Sequence, residues 1–271
     1  MFGKLLKYEF KAPGKWYLSL YAIAGLLSVI LGFWVRAMIQ RDLAQTSSDS
    51  VMTGSGPETV FFVFMIIAFV VLIVSLMFAT FFLVVSRFYS NVYGRQGYLT
   101  MTLPISSHQL ILSKLVAALI WYFLATLTVL LGLILIGLLS LSSDTQALNE
   151  FMRSFLVSLP NMNNFPIFEM ITYLFSNFVS TTMSILVGYF AISLGQLFRD
   201  HRILLAIAFF IGLQFVVGII QYLSGLATVY TYSETNISIA PNPFFIGVNI
   251  LLAIGFYFGT HFIMTKKLNL Q

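Results

Sequence analysis

The sequence contains little charge and no cysteine. Only 8% of its 271 residues are charged, whereas 59% are hydrophobic. About a quarter of the residues of a soluble domain are normally charged, so this composition excludes an ordinary soluble protein and indicates an integral membrane protein. The absence of cysteine excludes disulfide bonds and thiolate metal sites. It also fits a protein of a bacterial inner membrane, which is the location we predict.

Motifs for enzymatic chemistry are missing as well. The sequence has no G-x-x-x-x-G-K-[ST] loop for nucleotide phosphates, no H-E-x-x-H zinc motif and no G-x-S-x-G nucleophile turn. Its three histidines, His108, His201 and His261, are far apart in the sequence. We therefore predict that the chain is not an enzyme, and that it holds neither a metal ion nor a cofactor of its own.

The long hydrophobic runs contain no ionisable residue near their centres. Proton- or sodium-driven carriers usually place such residues there, although each costs about 2.5 kcal/mol or more. Their absence argues against a carrier of that kind. His261, near the inner end of the last run, is interpreted as a hydrogen-bonded packing residue.

Six hydrophobic runs are long enough to cross a bilayer as helices, for which about 20 residues suffice. The runs do not alternate between apolar and polar residues, which predicts helices rather than the strands of a barrel. The predicted fold class is an all-α integral membrane protein with a single transmembrane domain, residues 1–271. Its predicted spans are residues 16–35, 60–85, 110–139, 167–198, 203–230 and 244–264.

The distribution of positive charge predicts the orientation of the chain. Of the 14 lysines and arginines, only Arg36, Arg41 and Arg153 lie on the side opposite the two termini. Positive residues collect on the cytoplasmic side of membrane proteins, so both termini are expected in the cytoplasm. The net charge of +5 is therefore a topology signal and does not indicate a nucleic-acid partner. Residues 1–15, which include FGKLLKYEFKA, are predicted to form an amphipathic helix at the membrane surface.

Uncharged polar residues recur on one side of two predicted spans. Such faces either hold helices together or line a translocation path, and the sequence leaves both interpretations open. The candidate path residues are Asn177, Thr181 and Ser184 in the fourth span, and Gln214 and Gln221 in the fifth.

Small residues form a second pattern in the spans. Ala24, Ser28 and Gly32 recur every four residues in the first span, which predicts a surface where another helix approaches closely. Gly255 and Gly259 form a G-x-x-x-G pair in the sixth span, and helix packing is predicted there too.

The longest polar interruption on the predicted cytoplasmic side runs from Arg87 to Lys114. It is basic and contains no carboxylate. Ser106 and Gln109 have the spacing of a capping box, which predicts the start of the third span. Three residues are expected to break any continuous helix here, namely Gly94, Gly97 and Pro104. A basic segment exposed in this way indicates a docking partner.

Residues 97–106, GYLTMTLPIS, and residues 110–115, LILSKL, carry a resemblance to a known family. The segment resembles the loop between the second and third spans of permease subunits in the type-2 ATP-binding-cassette transporter family. The resemblance implies six spans, an N-terminal amphipathic helix, and a cytoplasmic coupling helix between spans two and three. That helix would dock on a separate cytoplasmic ATPase subunit, which would bind ATP and magnesium. The implied ATPase-coupling residues are Arg95, Tyr98, Leu99, Thr102, Leu103 and Pro104, with Arg199 and Arg202 as a second contact.

The resemblance also implies a function. The chain would be the membrane-spanning subunit of an ATP-driven exporter, paired with a second permease copy or a paralogue around a path and surrounded by membrane lipid. Uncharged spans favour a hydrophobic or amphipathic substrate such as a peptide, a lipid-like molecule or a drug. The alternatives are a non-transporting scaffold or sensor subunit that docks a cytoplasmic regulatory protein, and a secondary carrier.

Overall fold

The protein is described here as a computed structural model. The structure describes residues 14–45, 57–94, 106–141, 167–198, 201–229 and 243–266, together with the single residues 3, 6, 149 and 153. Within these ranges the regular structure consists of six helices, each long and apolar enough to span a membrane. In chain order they are α1 Gly14–Gln45, α2 Pro57–Val92, α3 Ser107–Leu141, α4 Ile167–Gly195, α5 Arg202–Val229 and α6 Pro243–Lys266. The predicted all-α architecture with six apolar helices is confirmed for this part of the chain.

Helices α1 and α2 extend well beyond the spans predicted for them. α1 continues to Gln45 and α2 begins at Pro57, so helix occupies part of residues 36–59, which separate the first two predicted spans. α2 also continues to Val92, six residues into the polar interruption predicted from Arg87. Backbone hydrogen bonds continue through polar residues at a helix end, whereas hydropathy marks only the part that suits lipid. The predicted surface helix 1–15 lies outside the described residues, apart from Gly3, Leu6 and the beginning of α1.

The chain divides into two compact units, which are described separately. One contains Phe81–Leu119 and Pro166–Gln271, and we call it the α4 unit. The other contains Lys11–Thr80 and Ile120–Phe165, and we call it the α1 unit. Helices α2 and α3 each contribute residues to both units.

The α1 unit packs its helices through small residues and aromatic rings. Ala24 of α1, Leu76 of α2 and Ala125 of α3 form a buried cluster. The ring of Tyr17 stacks on that of Trp121, with the ring centroids 4.1 Å apart. These contacts hold α1 against both neighbouring helices.

The predicted small-residue surface of α1 is occupied within the chain. A Cβ atom added to Gly132 of α3 would lie 2.6 Å from Ser28 Oγ, and one added to Gly32 would lie 2.8 Å from Leu139 Cβ. Approach this close is possible only because both sites lack a side chain. The prediction of close helix packing at Ala24, Ser28 and Gly32 is thus confirmed, and the partner is α3 of the same chain.

The α4 unit is built around α4, which packs against both α5 and α6. Its core contains Met183 and Val187 of α4 and Val217 of α5, all nearly inaccessible, and Phe256 of α6 packs against them. Gly259 of α6 lies beside the ring of Phe190, where a Cβ atom would be 2.6 Å from Phe190 Cε2. The packing prediction for the G-x-x-x-G pair therefore holds at Gly259. It does not hold at Gly255, where a Cβ atom would meet nothing within 4 Å.

Candidate functional site

Several helix termini of the α4 unit meet at one end. The last turns of α2 and α4 contact each other through Tyr93 and Ser193, and α4 contacts α6 through Phe190 and Gly259. Residues 95–105 connect the end of α2 to the start of α3, so we call this the loop end of the unit. The chain from α4 to α5 turns at the same end, between Gly195 and Arg202.

Residues 88–94, at the end of α2, lead into residues 95–105, and we call them the first stem. The first stem is fixed to α4. The Tyr93 hydroxyl donates a hydrogen bond of 2.7 Å to Ser193 Oγ. Ser193 in turn donates to the carbonyl oxygen of Tyr189 at 2.8 Å. The rings of Phe88 and Tyr189 stack with their centroids 4.0 Å apart, and Val92 is completely buried. The last turn of α2 is therefore held by both polar and aromatic contacts.

The Tyr93 phenol is protonated under physiological conditions. Burial raises the pKa of Tyr93 well above its usual range, and the hydrogen bond to Ser193 lowers this pKa by less. A protonated phenol is a hydrogen-bond donor, which agrees with the contact to Ser193. The contact is consequently insensitive to pH over the range in which histidines titrate.

Residues 106–114, at the start of α3, follow residues 95–105, and we call them the second stem. The second stem begins with a helix cap. The backbone N–H of Gln109 donates to Ser106 Oγ at 3.3 Å, as expected for a side chain that caps the first turn of a helix. This agrees with the predicted start of the third helix. The next turns are buried on one side, with Leu110, Ile111 and Ser113 almost inaccessible. A lysine at a membrane interface usually extends its ammonium group to the surface. Lys114 differs from this, because it is buried with only 4% of its surface exposed.

The same stem contacts α6 through His108. A hydrogen bond of 2.9 Å joins His108 Nδ1 and the hydroxyl oxygen of Tyr257. The rings of His108 and His261 stack with their centroids 3.8 Å apart and an angle of 12° between their planes. His261 is therefore packed against a histidine far away in the sequence, as interpreted, but its ring makes no hydrogen bond among the described residues, so the hydrogen-bonded part of that interpretation is not borne out.

The turn from α4 to α5 is tight. A Cβ atom at Gly195 would lie 2.7 Å from the carbonyl oxygen of Arg202 and 2.8 Å from the backbone nitrogen of Ala206. His201 has a positive φ of 55° and its carbonyl accepts from the N–H of Leu205 at 3.0 Å, which starts α5. Arg202 is exposed at the first position of α5.

Most of the predicted ATPase-coupling residues lie outside the described residues. Arg202 is the exception, and its position is exposed at the loop end. The others are Arg95, Tyr98, Leu99, Thr102, Leu103, Pro104 and Arg199, and their roles stay predictions.

The candidate path residues of α4 are not gathered into one polar cluster. Asn177 is exposed, Ser184 is half-buried, and Thr181 Oγ1 donates to the carbonyl oxygen of Asn177 in its own helix at 2.9 Å. A threonine hydroxyl that bonds four residues back is satisfied within its helix. These contacts leave the choice between packing and path open for α4.

Gln221 of α5 has a partner in α6. Its Nε2 atom donates to Asn249 Oδ1 at 2.8 Å, and Asn249 Nδ2 donates to the carbonyl oxygen of Phe245 at 3.0 Å. Asn249 is 99% buried. Gln214 is half-buried and makes no hydrogen bond among the described residues. The observed role of Gln221 is therefore helix packing, while its role in a path stays a prediction.

Three residues of this unit were not among the candidates from sequence, namely Ser193, Tyr257 and Asn249. Asn249 carries a weak signal, because an amide in an apolar helix needs a hydrogen-bond partner. The sequence does not say which of the other spans supplies that partner. Ser193 and Tyr257 carry no signal beyond being polar residues near the end of a hydrophobic run.

The described residues contain no group of three or more histidine, aspartate or glutamate side chains placed to hold a metal ion. Comparisons with family models, with curated proteins and with solved structures find no match to this chain.

Proposed function

We propose that this chain is the membrane-spanning subunit of an ATP-driven exporter for a hydrophobic or amphipathic substrate, such as a peptide, a lipid-like molecule or a drug. In this proposal residues 95–105 form a coupling helix that docks on a separate cytoplasmic ATPase subunit. The turn 199–202 forms the second contact, and residues 1–15 form an amphipathic helix at the membrane surface. The chain resides in a bacterial inner membrane with both termini in the cytoplasm.

One observation carries the proposal. Both stems of residues 95–105 are fixed to helices of the same unit, the first to α4 through Tyr93 and Ser193, and the second to α6 through His108 and Tyr257. A rigid stem at each side converts displacement of the segment into displacement of α4 and α6. Rigid-body movement of this kind is the usual way in which a docked partner switches a membrane path between its two sides.

The exposed surface of the helices supports the choice of substrate. Side chains such as Phe215 of α5 and Phe258 of α6 are largely exposed, and the spans hold few charges. A path bordered by such residues and by Gln214 would accept apolar and amphipathic molecules and disfavour small ions. A second permease copy or a paralogue would complete the path, ATP and magnesium would be bound by the ATPase, and membrane lipid would cover the remaining surface.

Co-purification tests the coupling segment. Affinity-tagged chain would be isolated from membranes of its host, and the retained ATPase subunit and its ATP turnover would be measured. Exchange of Leu103, Pro104 and Ile105 for Gly-Ser-Gly should abolish retention of the ATPase, while the chain stays inserted in the membrane. A matched exchange in the opposite loop, residues 46–48, should leave retention unchanged. Retention of the ATPase at full stoichiometry by the first variant would contradict docking at this segment.

A second candidate function is a non-transporting scaffold or sensor subunit that docks a cytoplasmic regulatory protein. The contact between Gln221 and Asn249 favours it, because a satisfied amide pair holds helices together without needing a path. Reconstituted vesicles separate the two functions. An exporter should show ATP-dependent movement of a hydrophobic peptide and stimulation of ATP turnover by that peptide, whereas a scaffold should show neither.

A further inference from the structure

Two linked hydrogen bonds fix the orientation of one amide on α5. The carbonyl oxygen of Phe245 on α6 can only accept a hydrogen bond, so the Asn249 atom that lies 3.0 Å from it is the donor Nδ2. Asn249 Oδ1 is then the acceptor that lies 2.8 Å from Gln221, and the Gln221 atom that donates to it is Nε2. The carbonyl oxygen of the Gln221 side chain, Oε1, is therefore left to accept a hydrogen bond from another group.

Asn249 keeps the Gln221 amide in this orientation. Only 1% of the surface of Asn249 is exposed, so neither of its amide atoms can exchange its partner for water or lipid. If the Gln221 amide turned over, its Oε1 atom would face Asn249 Oδ1, and two acceptors would meet without a proton between them. Asn249 is thus a positioning residue, because it determines which atom of Gln221 is presented to the surroundings.

Gln221 Oε1 is accessible and has no donor. Gln221 is half-buried. In the described part of the chain, Oε1 makes no hydrogen bond, and it is not one of the buried side-chain atoms that lack a partner. The next residues of α5, Tyr222 and Leu223, have 68% and 58% of their surfaces exposed. Water is absent from such apolar surroundings in a bilayer, so an acceptor without a donor is costly. This face of α5 therefore favours a molecule that supplies a donor.

The same face of α5 continues from Gln221 back to Gln214. The two residues lie two turns, or about 10 Å, apart along the helix. Gly218 lies between them, and a Cβ atom added there would meet nothing within 4 Å. Gln214 is half-buried and makes no hydrogen bond among the described residues. About three residues of extended peptide cover the distance between the two amides, and each peptide unit carries one donor and one acceptor.

We propose that the face of α5 formed by Gln214, Gly218 and Gln221 binds the backbone of an extended apolar peptide, with Gln221 Oε1, positioned by Asn249, as the acceptor for a peptide N–H. Complementarity of partial charge selects this occupant. A peptide backbone carries donors between apolar side chains, whereas the acyl chain of a lipid carries none. The assignment rests on the proposed function, since it gives the class of substrate that the path would take.

A matched pair of probes tests the site in the full chain. The chain would be placed in lipid nanodiscs, and fluorescence anisotropy would give its affinity for a labelled octapeptide of alternating leucine and alanine, with empty nanodiscs as the background. The second probe has the same side chains but an ester in place of every amide, so its backbone carries no N–H. The unmodified chain should bind the amide probe about tenfold more tightly than the ester probe, as expected for one well-placed hydrogen bond in an apolar site.

Substitutions identify the residues that recognise the backbone. Gln221→Leu removes the acceptor and Asn249→Leu releases its orientation, so each should bring the affinity ratio of the two probes close to one and leave binding of the ester unchanged. Gln214→Leu breaks no hydrogen bond among the described residues and should also lower the ratio, which tests the site even if Asn249→Leu does not fold. Gly212→Ala is the control, because an added Cβ atom there meets nothing within 4 Å, and it should keep the tenfold preference.

The outcomes separate this site from the exporter proposal. Equal affinity of the unmodified chain for the two probes would overturn the site. So would failure of both probes to bind above the background, as expected if a second copy of the chain covered this face. An unchanged preference in Asn249→Leu would overturn the positioning role. The binding measurement contains no ATPase. A chain that retains its ATPase but shows no amide preference would contradict the peptide site alone, whereas amide preference without a retained ATPase would contradict the exporter alone.

Discussion

Helices α4 and α5 are neighbours in the chain and in the α4 unit, yet their surroundings are opposite. In the most hydrophobic stretch of α4, 61% of the residues are buried inside the protein, whereas in α5 the share is 6%. α5 is nevertheless the more hydrophobic of the two helices. A soluble protein would place the more hydrophobic helix in its core, so the order here is inverted.

The inversion follows from the solvent. Lipid tails are as apolar as leucine, so a hydrophobic side chain gains little by moving from lipid into the protein. Close packing then decides which helix is central. α4 supplies small residues at Gly188, Ser193 and Gly195, which allow other helices to approach it. α5 carries bulky exposed side chains such as Ile211 and Phe215, which suit a surface that faces lipid.

The largest effect on the free energy of unfolding is expected from a substitution that breaks the contact between α4 and α5 at the turn that joins them. Gly195→Ala would place a Cβ atom 2.7 Å from both Ala206 Cβ and the carbonyl oxygen of Arg202. Since the backbone of α5 cannot yield as a flexible side chain does, we expect a loss of about 3 kcal/mol in the free energy of unfolding. Unfolding of the purified chain by denaturant in mixed micelles would measure it.

Gly212 provides the matched control for that substitution. It lies on α5, where an added Cβ atom would meet nothing within 4 Å. Gly212→Ala should therefore change the free energy of unfolding by no more than about 0.5 kcal/mol. Equal effects at Gly195 and Gly212 would contradict the assignment of α4 as the packed helix and α5 as the exposed one.

The next effect concerns the polar contact that ties α5 to α6. Gln221→Leu would leave the buried Oδ1 atom of Asn249 without its donor, and we expect a loss of about 1.5 kcal/mol. Gln214→Leu is the control, because Gln214 is the same residue type on the same helix and makes no hydrogen bond among the described residues. Its expected effect is near zero. If the two substitutions were equally destabilising, the amide pair would not be the tie between the helices.

The number and order of the helices were predictable from sequence because lipid imposes a minimum length on each hydrophobic run. Helix ends were less predictable. α1 extends to Gln45 and α2 to Val92, since polar residues continue a helix without changing its backbone hydrogen bonds. The close approach of α1 to another helix could be anticipated from Ala24, Ser28 and Gly32. The identity of its partner, α3, could not, because small residues show where a helix can approach but not which one does.

The candidate site was predictable only in part. The capping residue Ser106 follows from a local rule that joins residues three positions apart, and the structure bears it out. The contacts of Tyr93 with Ser193, and of His108 with His261, join residues far apart in the sequence. Such pairs depend on which helices become neighbours, and a hydrophobic pattern that is nearly uniform around each helix does not encode this.

The smallest effect on the free energy of unfolding is expected from removal of the Tyr93 hydroxyl at the end of α2. The control is removal of the hydroxyl of an exposed tyrosine of α5. Tyr93→Phe keeps the ring but removes the donor to Ser193, whose own hydroxyl still donates to Tyr189. No buried group is left entirely without a partner, so we expect a loss of about 0.7 kcal/mol. Tyr222→Phe, on the exposed surface of α5, should have no measurable effect on unfolding.

The pH dependence of this last pair of variants provides a further criterion. Because burial raises the pKa of Tyr93, the folded protein binds the phenolic proton more tightly than the unfolded chain does. The stabilisation by Tyr93 should therefore be constant up to about pH 9 and should decrease above about pH 10, where the phenol ionises in the unfolded chain. Tyr93→Phe should lack that decrease, so the difference between the two proteins should shrink as the pH rises. A difference that already changes between about pH 6 and about pH 8 would contradict a buried, protonated Tyr93 in the stem.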